Sequence, residues 1–199
     1  MRAVRNTDQG ILVGEADEPE ASGVRLTVVS AGICGTDVNF AAGGVQGYIY
    51  GHEFAGMTAD GQSYAVEPTV YCGECDQCRA GHVQRCNAPE HGTLGMFRDG
   101  GMCDAVTVSE NMLVPLPPGL DVHDACIVEP AAVAWHGIRN AALMPGERAA
   151  VVGGGSIGSS PRPRPGSAAT TSTSRCDTST RGWRLNALNS AQLTASTTS

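Results

Sequence analysis

Four cysteines, Cys72, Cys75, Cys78 and Cys86, follow one another as C-x2-C-x2-C-x7-C in the run YCGECDQCRAGHVQRC. Thiolates at this spacing suit a tetrahedral Zn²⁺ shell, and a shell of four sulfurs leaves no open position, so the expected site is structural. It would tie down a glycine-rich loop that has few apolar residues to fold on. Two disulfides are the competing reading. The chain opens MRAVRNTDQGILVGEA, without the apolar stretch of a secretory signal. A cytoplasmic location is therefore expected, and thiols stay reduced there, which favours metal.

Three other stretches hold reactive side chains: Ile33-Cys34-Gly35-Thr36-Asp37, Gly51-His52-Glu53-Phe54, and the run from Val128-Glu129-Pro130 to Trp135-His136-Gly137. Each has a bland reading when taken singly. A lone cysteine is commonly a small buried hydrophobe, and a glutamate before a proline can be a helix-start charge. Further on, Gly153-Gly154-Gly155-Ser156-Ile157-Gly158 fits G-x-G-x-x-G, with Gly153, Gly155 and Gly158 in the glycine places. The apolar run Ala149–Val152 directly before it reads as a buried strand, the context that gives such a motif meaning. Glycines there permit a tight turn, let backbone N–H groups approach a pyrophosphate and let the next helix pack closely. A flexible glycine turn is the alternative.

The elements that must position these residues change character along the chain. Gly10–Val13, Val24–Ser30, Ser63–Val66 and Cys103–Val108 are β-branched or alternating and read as strands between glycine turns. They predict a small, mainly β barrel or sandwich. The segment LPPGLDV, Leu116–Val122, reads as a boundary. From Val122 to Leu143 a helix is expected, capped by Asp121 or Asp124, with Ala125, Val128, Ala132, Trp135 and Ile138 near a 3.6 period.

Composition narrows the class. The net charge of −7 on 199 residues argues against nucleic acid as a partner. No apolar run approaches the roughly 18 residues of a spanning helix, so no membrane partner is expected. All 13 basic residues are arginine, and the charge is uneven: residues 1–158 hold 19 of the 20 acidic side chains. Residues 159–199 contain 17 Ser or Thr and no Val, Ile, Phe, Met or Tyr, and prolines stand at 161, 163 and 165 where a helix should follow the glycine turn. Such a segment buries too little apolar surface to offset its ordering entropy, so disorder is expected.

Taken together and in this order, these stretches resemble the zinc-dependent medium-chain alcohol or polyol dehydrogenases, over about residues 1–158. The resemblance implies a mainly β GroES-like barrel domain at 1–120, with a structural zinc lobe at about 67–92. Residues 121–158 would begin an α/β Rossmann-type cofactor domain. It implies two Zn²⁺ per chain. One is the structural ion on Cys72, Cys75, Cys78 and Cys86. The other is catalytic, on Cys34 and His52, with Glu53 and Glu129 at or near the metal. Asp37 would orient the histidine, and Thr36 would accept the proton of a small-molecule alcohol or polyol. NAD or NADP would take the hydride, and oligomers are possible in the full-length family. One departure is Asn39, which stands where many members carry a proton-relay histidine and cannot titrate near neutral pH. The competing reading is a non-catalytic zinc-binding GroES-like module. Cys103 and Cys126 are expected as buried thiols, His82 and His91 as solvated, and His136 as packing on its helix.

The change of composition after residue 158 leads to the expectation of a truncated chain with little activity alone, its tail being a frameshifted reading of a dehydrogenase gene. Back-translated with GC-ending codons and read two bases later, Thr170–Asp177 becomes a β-branched strand ending in basic residues, which leans towards NADP. Sequencing the coding DNA beyond residue 158 tests this. A dehydrogenase-like continuation in a shifted frame is expected, and its absence from both shifted frames would refute it.

Overall fold

The computed structural model describes residues 1–20, 22–144, 149–159 and 193–195. Two units divide the chain, Met1–Glu129 and Pro130–Ser199, and each is described by itself. In the first unit the elements run β1 (Arg2–Thr7), β2 (Gly10–Glu15), β3 (Val24–Ala31), α1 (Gly35–Ala42), β4 (Phe54–Met57), β5 (Ser63–Val66), β6 (Thr69–Val70), α2 (Asp76–Arg79), β7 (Gly92–Thr93), β8 (Ala105–Val108) and β9 (Leu113–Pro115). A 3₁₀ turn at Ala125–Ile127 leads into α3 (Val128–Asn140). The second unit holds most of α3, then β10 (Ala149–Val151), α4 (Ser156–Ser159) and β11 (Leu193–Ala195), which pairs antiparallel with β10.

Five strands form one antiparallel sheet in the order β8-β3-β4-β5-β9. Strand β1 pairs with β2 in a hairpin and is also stitched to two other segments. Val4 N–H donates to Met102 O at 2.8 Å, and Tyr50 N–H donates to Val4 O at 3.1 Å. These bonds connect the residues just before His52 to the strand that opens the chain.

The core lies on one face of the sheet, where Leu26, Phe54, Val66, Val106, Val108 and Met112 pack with Leu94. Alternation in β3 explains the face: Leu26 is fully buried, while Arg25 and Thr27 on either side are exposed. The β3–β4 register shifts between Val28 and Ser30, a bulge that breaks the alternation just before the chain turns towards Cys34. Bulges commonly re-aim a strand beside a functional site.

The helix expected over Val122–Leu143 is shorter and starts later. Residues up to Ile127 form turns and the 3₁₀ segment, and Asp121 Oδ1 accepts the His123 N–H at 2.9 Å instead of capping a helix. In α3 the buried positions are Pro130 and Ala134, one turn apart, while Trp135 is 58% exposed. Of the five positions expected to face inward, Ala125 is buried, Val128 and Ile138 are half-buried, and Ala132 and Trp135 are exposed. Apart from β11, the tail beyond Ser159 lies outside the described residues, and so do the expectations of disorder and of a shifted frame.

Leu26→Ala removes a fully buried side chain from the centre of this core and is expected to cost about 2–5 kcal/mol of unfolding free energy. Val13→Ala, at a strand residue that is 70% exposed, is expected to change stability by less than about 0.5 kcal/mol. Urea unfolding of the two variants checks this; equal losses would contradict the placement of the core.

Candidate metal centres and active site

The antiparallel pair β6–β7 closes the base of a lobe whose interior is made of sulfur. Within it α2 carries Cys78, Cys75 precedes α2, and a 3₁₀ turn at Val83–Arg85 delivers Cys86. All four cysteines are free thiols, and their sulfurs lie within 4.8 Å of one another. Cys72 and Cys86 Sγ are 3.6 Å apart, Cys75 and Cys86 3.9 Å, and Cys72 and Cys78 4.0 Å. A Zn–S bond of 2.3 Å sets the edge of a sulfur tetrahedron at about 3.8 Å, whereas a disulfide needs about 2.05 Å. The spacing fits the metal.

Backbone N–H groups are turned onto these sulfurs. Glu74 and Cys75 N–H donate to Cys72 Sγ, both at 3.4 Å, and Cys72 and Ala88 N–H donate to Cys86 Sγ, both at 3.5 Å. Such donors favour thiolate. Backbone bonds from Asn87 and Cys78 lower the Cys75 thiol to about 6, while burial and the neighbouring thiols push Cys78 up to about 12. The Cys72 and Ala88 N–H groups lower the Cys86 thiol too; thiolates this close repel one another, and a divalent cation would allow all four.

The second cluster is assembled from separate segments. Cys34 sits at the turn between β3 and α1, and His52 and Glu53 lie just before β4. Their ligand atoms lie within 4.8 Å of one another. Gly32 N–H donates to Glu53 O at 2.6 Å, which fixes the two chain segments side by side. A Cβ at position 32 would collide with the Glu53 carboxylate, so glycine is required for Glu53 to lie there. Gly51, at φ +97°, makes the left-handed turn that delivers His52, and a Cβ there would press on Met102.

Asp37, buried in the first turn of α1, accepts the Cys34 N–H on Oδ2 at 2.8 Å. Its other oxygen stands 3.8 Å from His52 Nδ1, and neither of those two buried atoms has a hydrogen-bond partner. Nδ1 faces this carboxylate beyond hydrogen-bond distance, which leaves Nε2 the better placed ring nitrogen for a metal. Thr36 Oγ1 lies 3.6 Å from Cys34 Sγ. A thiolate, an imidazole and a carboxylate fit a zinc site with an open position.

Electrostatics bind the set together. Burial opposes charge on His52, yet its pKa is raised, because Cys34, Asp37 and Glu129 hold it up. Burial pushes both Glu53 and Glu129 above the ordinary carboxylate range, and His52 draws both back. Glu129 is half-buried in the first turn of α3; it interacts with His52 and Glu53 but lies outside the tight ligand group.

In the second unit, Gly153 has φ +107°, and a Cβ on Gly158 would collide with the Gly153 carbonyl. Two of the three motif glycines are thus required by geometry, while Gly155 faces open space.

Sequence reasoning passed over an aromatic group in the first unit. Phe40 and Phe97 have ring centroids 5.3 Å apart, Phe97 and Tyr48 6.0 Å, and Tyr48 and Tyr50 5.2 Å. Phe97 adopts φ +72°, rare for a bulky residue. Alternation in Tyr48-Ile49-Tyr50 ahead of Gly51-His52 was the available signal. Several other expectations change. Cys103 and Cys126 are half-buried, not buried, and the Cys103 thiol, raised to about 11 by burial, donates to Ala105 O at 3.0 Å. His82 is exposed, as expected, and His91 is half-exposed. His136 is exposed, not packed, and pairs with Asn140 at 2.8 Å; the buried residues of the helix, Pro130 and Ala134, lie on another face.

Two metal equivalents per chain are expected on loading metal-free protein with zinc. Cys86→Ser is expected to lose one equivalent together with the stability of the lobe, and Cys34→Ser to lose the other and leave the fold intact. Elemental analysis with thermal unfolding measures both, and a Cys86→Ser protein with full zinc and stability would refute the lobe assignment.

Comparison with known proteins agrees with this geometry. The alcohol dehydrogenase GroES-like domain matches residues 20–118. The 2-dehydro-3-deoxy-L-galactonate 5-dehydrogenase of Pseudoalteromonas atlantica is 34% identical over 170 residues, 78% of this chain and 49% of the relative. The crystal structure of galactitol-1-phosphate dehydrogenase from Escherichia coli superposes with a TM-score of 0.70 at 28% identity, covering 79% of this chain and 50% of that one. A cobalt- and zinc-bound thermostable alcohol dehydrogenase from Pyrobaculum aerophilum superposes with a TM-score of 0.68 at 30% identity, covering 79% and 54%. The chain spans about half the length of the curated relatives it matches. Its curled antiparallel sheet is the GroES-like fold, and the chain belongs to the zinc-type alcohol and polyol dehydrogenase family.

Proposed function

We propose that this chain carries the metal-binding and alcohol-binding part of a zinc-dependent dehydrogenase acting on a small polyhydroxylated substrate. The observation that supports the reading most is the meeting of Cys34, His52 and Glu53 within 4.8 Å, beside Asp37 and apart from a closed four-cysteine lobe. A structural zinc module for protein contacts would account for the lobe alone. The relatives' names, a galactonate and a galactitol phosphate dehydrogenase, suggest the substrate class.

Cys34, His52 and Glu53 or Glu129 would hold the catalytic zinc, which when bound polarises an alcohol oxygen and lowers its pKa. Asp37, 3.8 Å from His52 Nδ1, would hold the imidazole in one tautomer on closing to hydrogen-bond distance. The Thr36 hydroxyl, beside Cys34, takes the alcohol proton and passes it outward. With Asn39 in the relay position, the next carrier is water or a ribose hydroxyl. Glu53 and Glu129 are held protonated more readily than free carboxylates, so metal binding displaces protons and metal affinity rises with pH. Domain boundaries near residues 120 and 158 follow from the same reading. Gly153, Gly155 and Gly158 would receive the pyrophosphate of NAD or NADP, a cofactor that would supply the hydride acceptor.

Among the described residues no helix is long and apolar enough to cross a membrane.

The alcohol-binding role is tested by placing Co²⁺ in the Cys34 centre with zinc kept in the lobe. Adding a polyol is expected to shift the cobalt d–d bands saturably. Thr36→Ala is expected to weaken that binding several-fold, on the order of one lost hydrogen bond. Bands that ignore every alcohol offered would contradict an open metal position.

A further inference from the structure

Ser30 lies near the end of β3, just past the bulge and four residues before Cys34. Its hydroxyl is committed twice. It donates to Val122 O at 2.6 Å and accepts the Cys126 N–H at 3.2 Å. A hydroxyl has one proton to give and lone pairs to receive, so one small group satisfies both ends of the segment 122–126. The Cys126 N–H belongs to the opening turns of a helical stretch, where donors lack partners within the helix itself. Ser30 serves that donor from another element, as a cap residue would from the same one.

The bracketed turn is well seated. Ala125, inside it, is fully buried, and the 3₁₀ turn Ala125–Ile127 packs against β3, β4 and β5. Glu129 follows Cys126 by three residues, one helical turn further on. The same serine therefore stands between two metal-facing groups. Along its own strand it leads to Cys34, and across its hydrogen bonds it leads to Glu129. The sequence separations of 92 and 96 residues make this a tertiary link that no local preference supplies.

We infer that Ser30 is a positioning residue for the catalytic metal centre, its hydroxyl holding the turn that sets Glu129 against the Cys34–His52–Glu53 group. This rests on the reading that Glu129 lies at or near the metal. Ser30 touches neither metal nor substrate in this role; it acts through Glu129.

The test uses the full chain with zinc in the lobe and Co²⁺ titrated into the Cys34 centre, in Ser30→Ala, Ser30→Thr, Glu129→Gln and the Ser30→Ala/Glu129→Gln double variant. Loss of an outer partner of a ligand commonly costs 10–100-fold in metal affinity, so Ser30→Ala is expected to weaken cobalt about tenfold. Its d–d bands are expected to move towards those of Glu129→Gln. Ser30→Thr, which keeps the hydroxyl, is expected to stay within about twofold of the parent. In the Glu129→Gln background, Ser30→Ala is expected to add less than about twofold, since residues acting as a unit are not additive. In metal-free protein, amide exchange at Cys126 is expected to accelerate in Ser30→Ala and not in Ser30→Thr.

Equal losses from Ser30→Ala in both backgrounds would overturn the inference, as would unchanged affinity with faster exchange at Cys126. If Glu129→Gln alone leaves affinity and bands unchanged, the reading of Glu129 at the metal fails and takes the inference with it. An effective Glu129→Gln with a silent Ser30→Ala removes only the inference. Should Ser30→Ala not fold, Ser30→Cys, a weaker donor of similar size, carries the same comparison with an expected loss between those of threonine and alanine.

Discussion

Antiparallel pairing of β3 with β4 is the interaction on which the rest of the site depends. It sets Leu26 and Phe54 into one core and places Cys34 next to His52 and Glu53. The bulge between Val28 and Ser30 ends the regular ladder, and the bond from Gly32 N–H to Glu53 O closes it again one step later. A slip of one residue would turn Leu26 to solvent and separate the ligands, because side chains alternate along a strand. Core packing and site assembly are therefore the same event in this fold.

Charge is the second constraint. The Cys34 group buries an imidazole and the carboxylates of Asp37 and Glu53, and two of its polar atoms, Asp37 Oδ1 and His52 Nδ1, are buried without partners. Buried polar atoms in that state are costly. The lobe concentrates four thiols over sulfur separations of 3.6–4.0 Å. A cation held by the four sulfurs would offset their mutual repulsion, and one on Cys34, His52 and Glu53 would offset the burial of their charge. The lobe has little apolar interior, so it would depend on such a cation more than the sheet does; Leu26, Phe54 and Met112 hold the sheet without metal.

Much of this is legible in the sequence where chemistry is local. Four cysteines within fifteen residues announce the lobe, and Gly51-His52-Glu53 gives two members of the second group side by side. Ser63–Val66 is found over the residues its pattern predicts. What is hidden is tertiary. Helix α1 spans only eight residues, too few for a period to show, so Asp37 could be placed only by resemblance. Strand β1 carries two arginines and an asparagine and is a strand because Val4 is bonded on both sides. The pattern from Ala125 to Ile138 reads as one helix, yet the chain uses its first residues for a turn held by Ser30. That bond spans 96 residues, and no window along the chain contains it.

The central claim is that the fold builds two metal sites of different chemistry, one closed by sulfur alone and one open with mixed donors. Zinc K-edge absorption fine structure of the fully loaded chain measures the nearest atoms directly. The two sites together should average about 2.5 sulfurs at about 2.3 Å and 1.5 nitrogen or oxygen atoms at about 2.0–2.1 Å per zinc. In the Cys34→Ser protein the remaining zinc should show sulfur only. A wild-type spectrum fitted by four sulfurs alone, with no nitrogen or oxygen shell, would contradict the account.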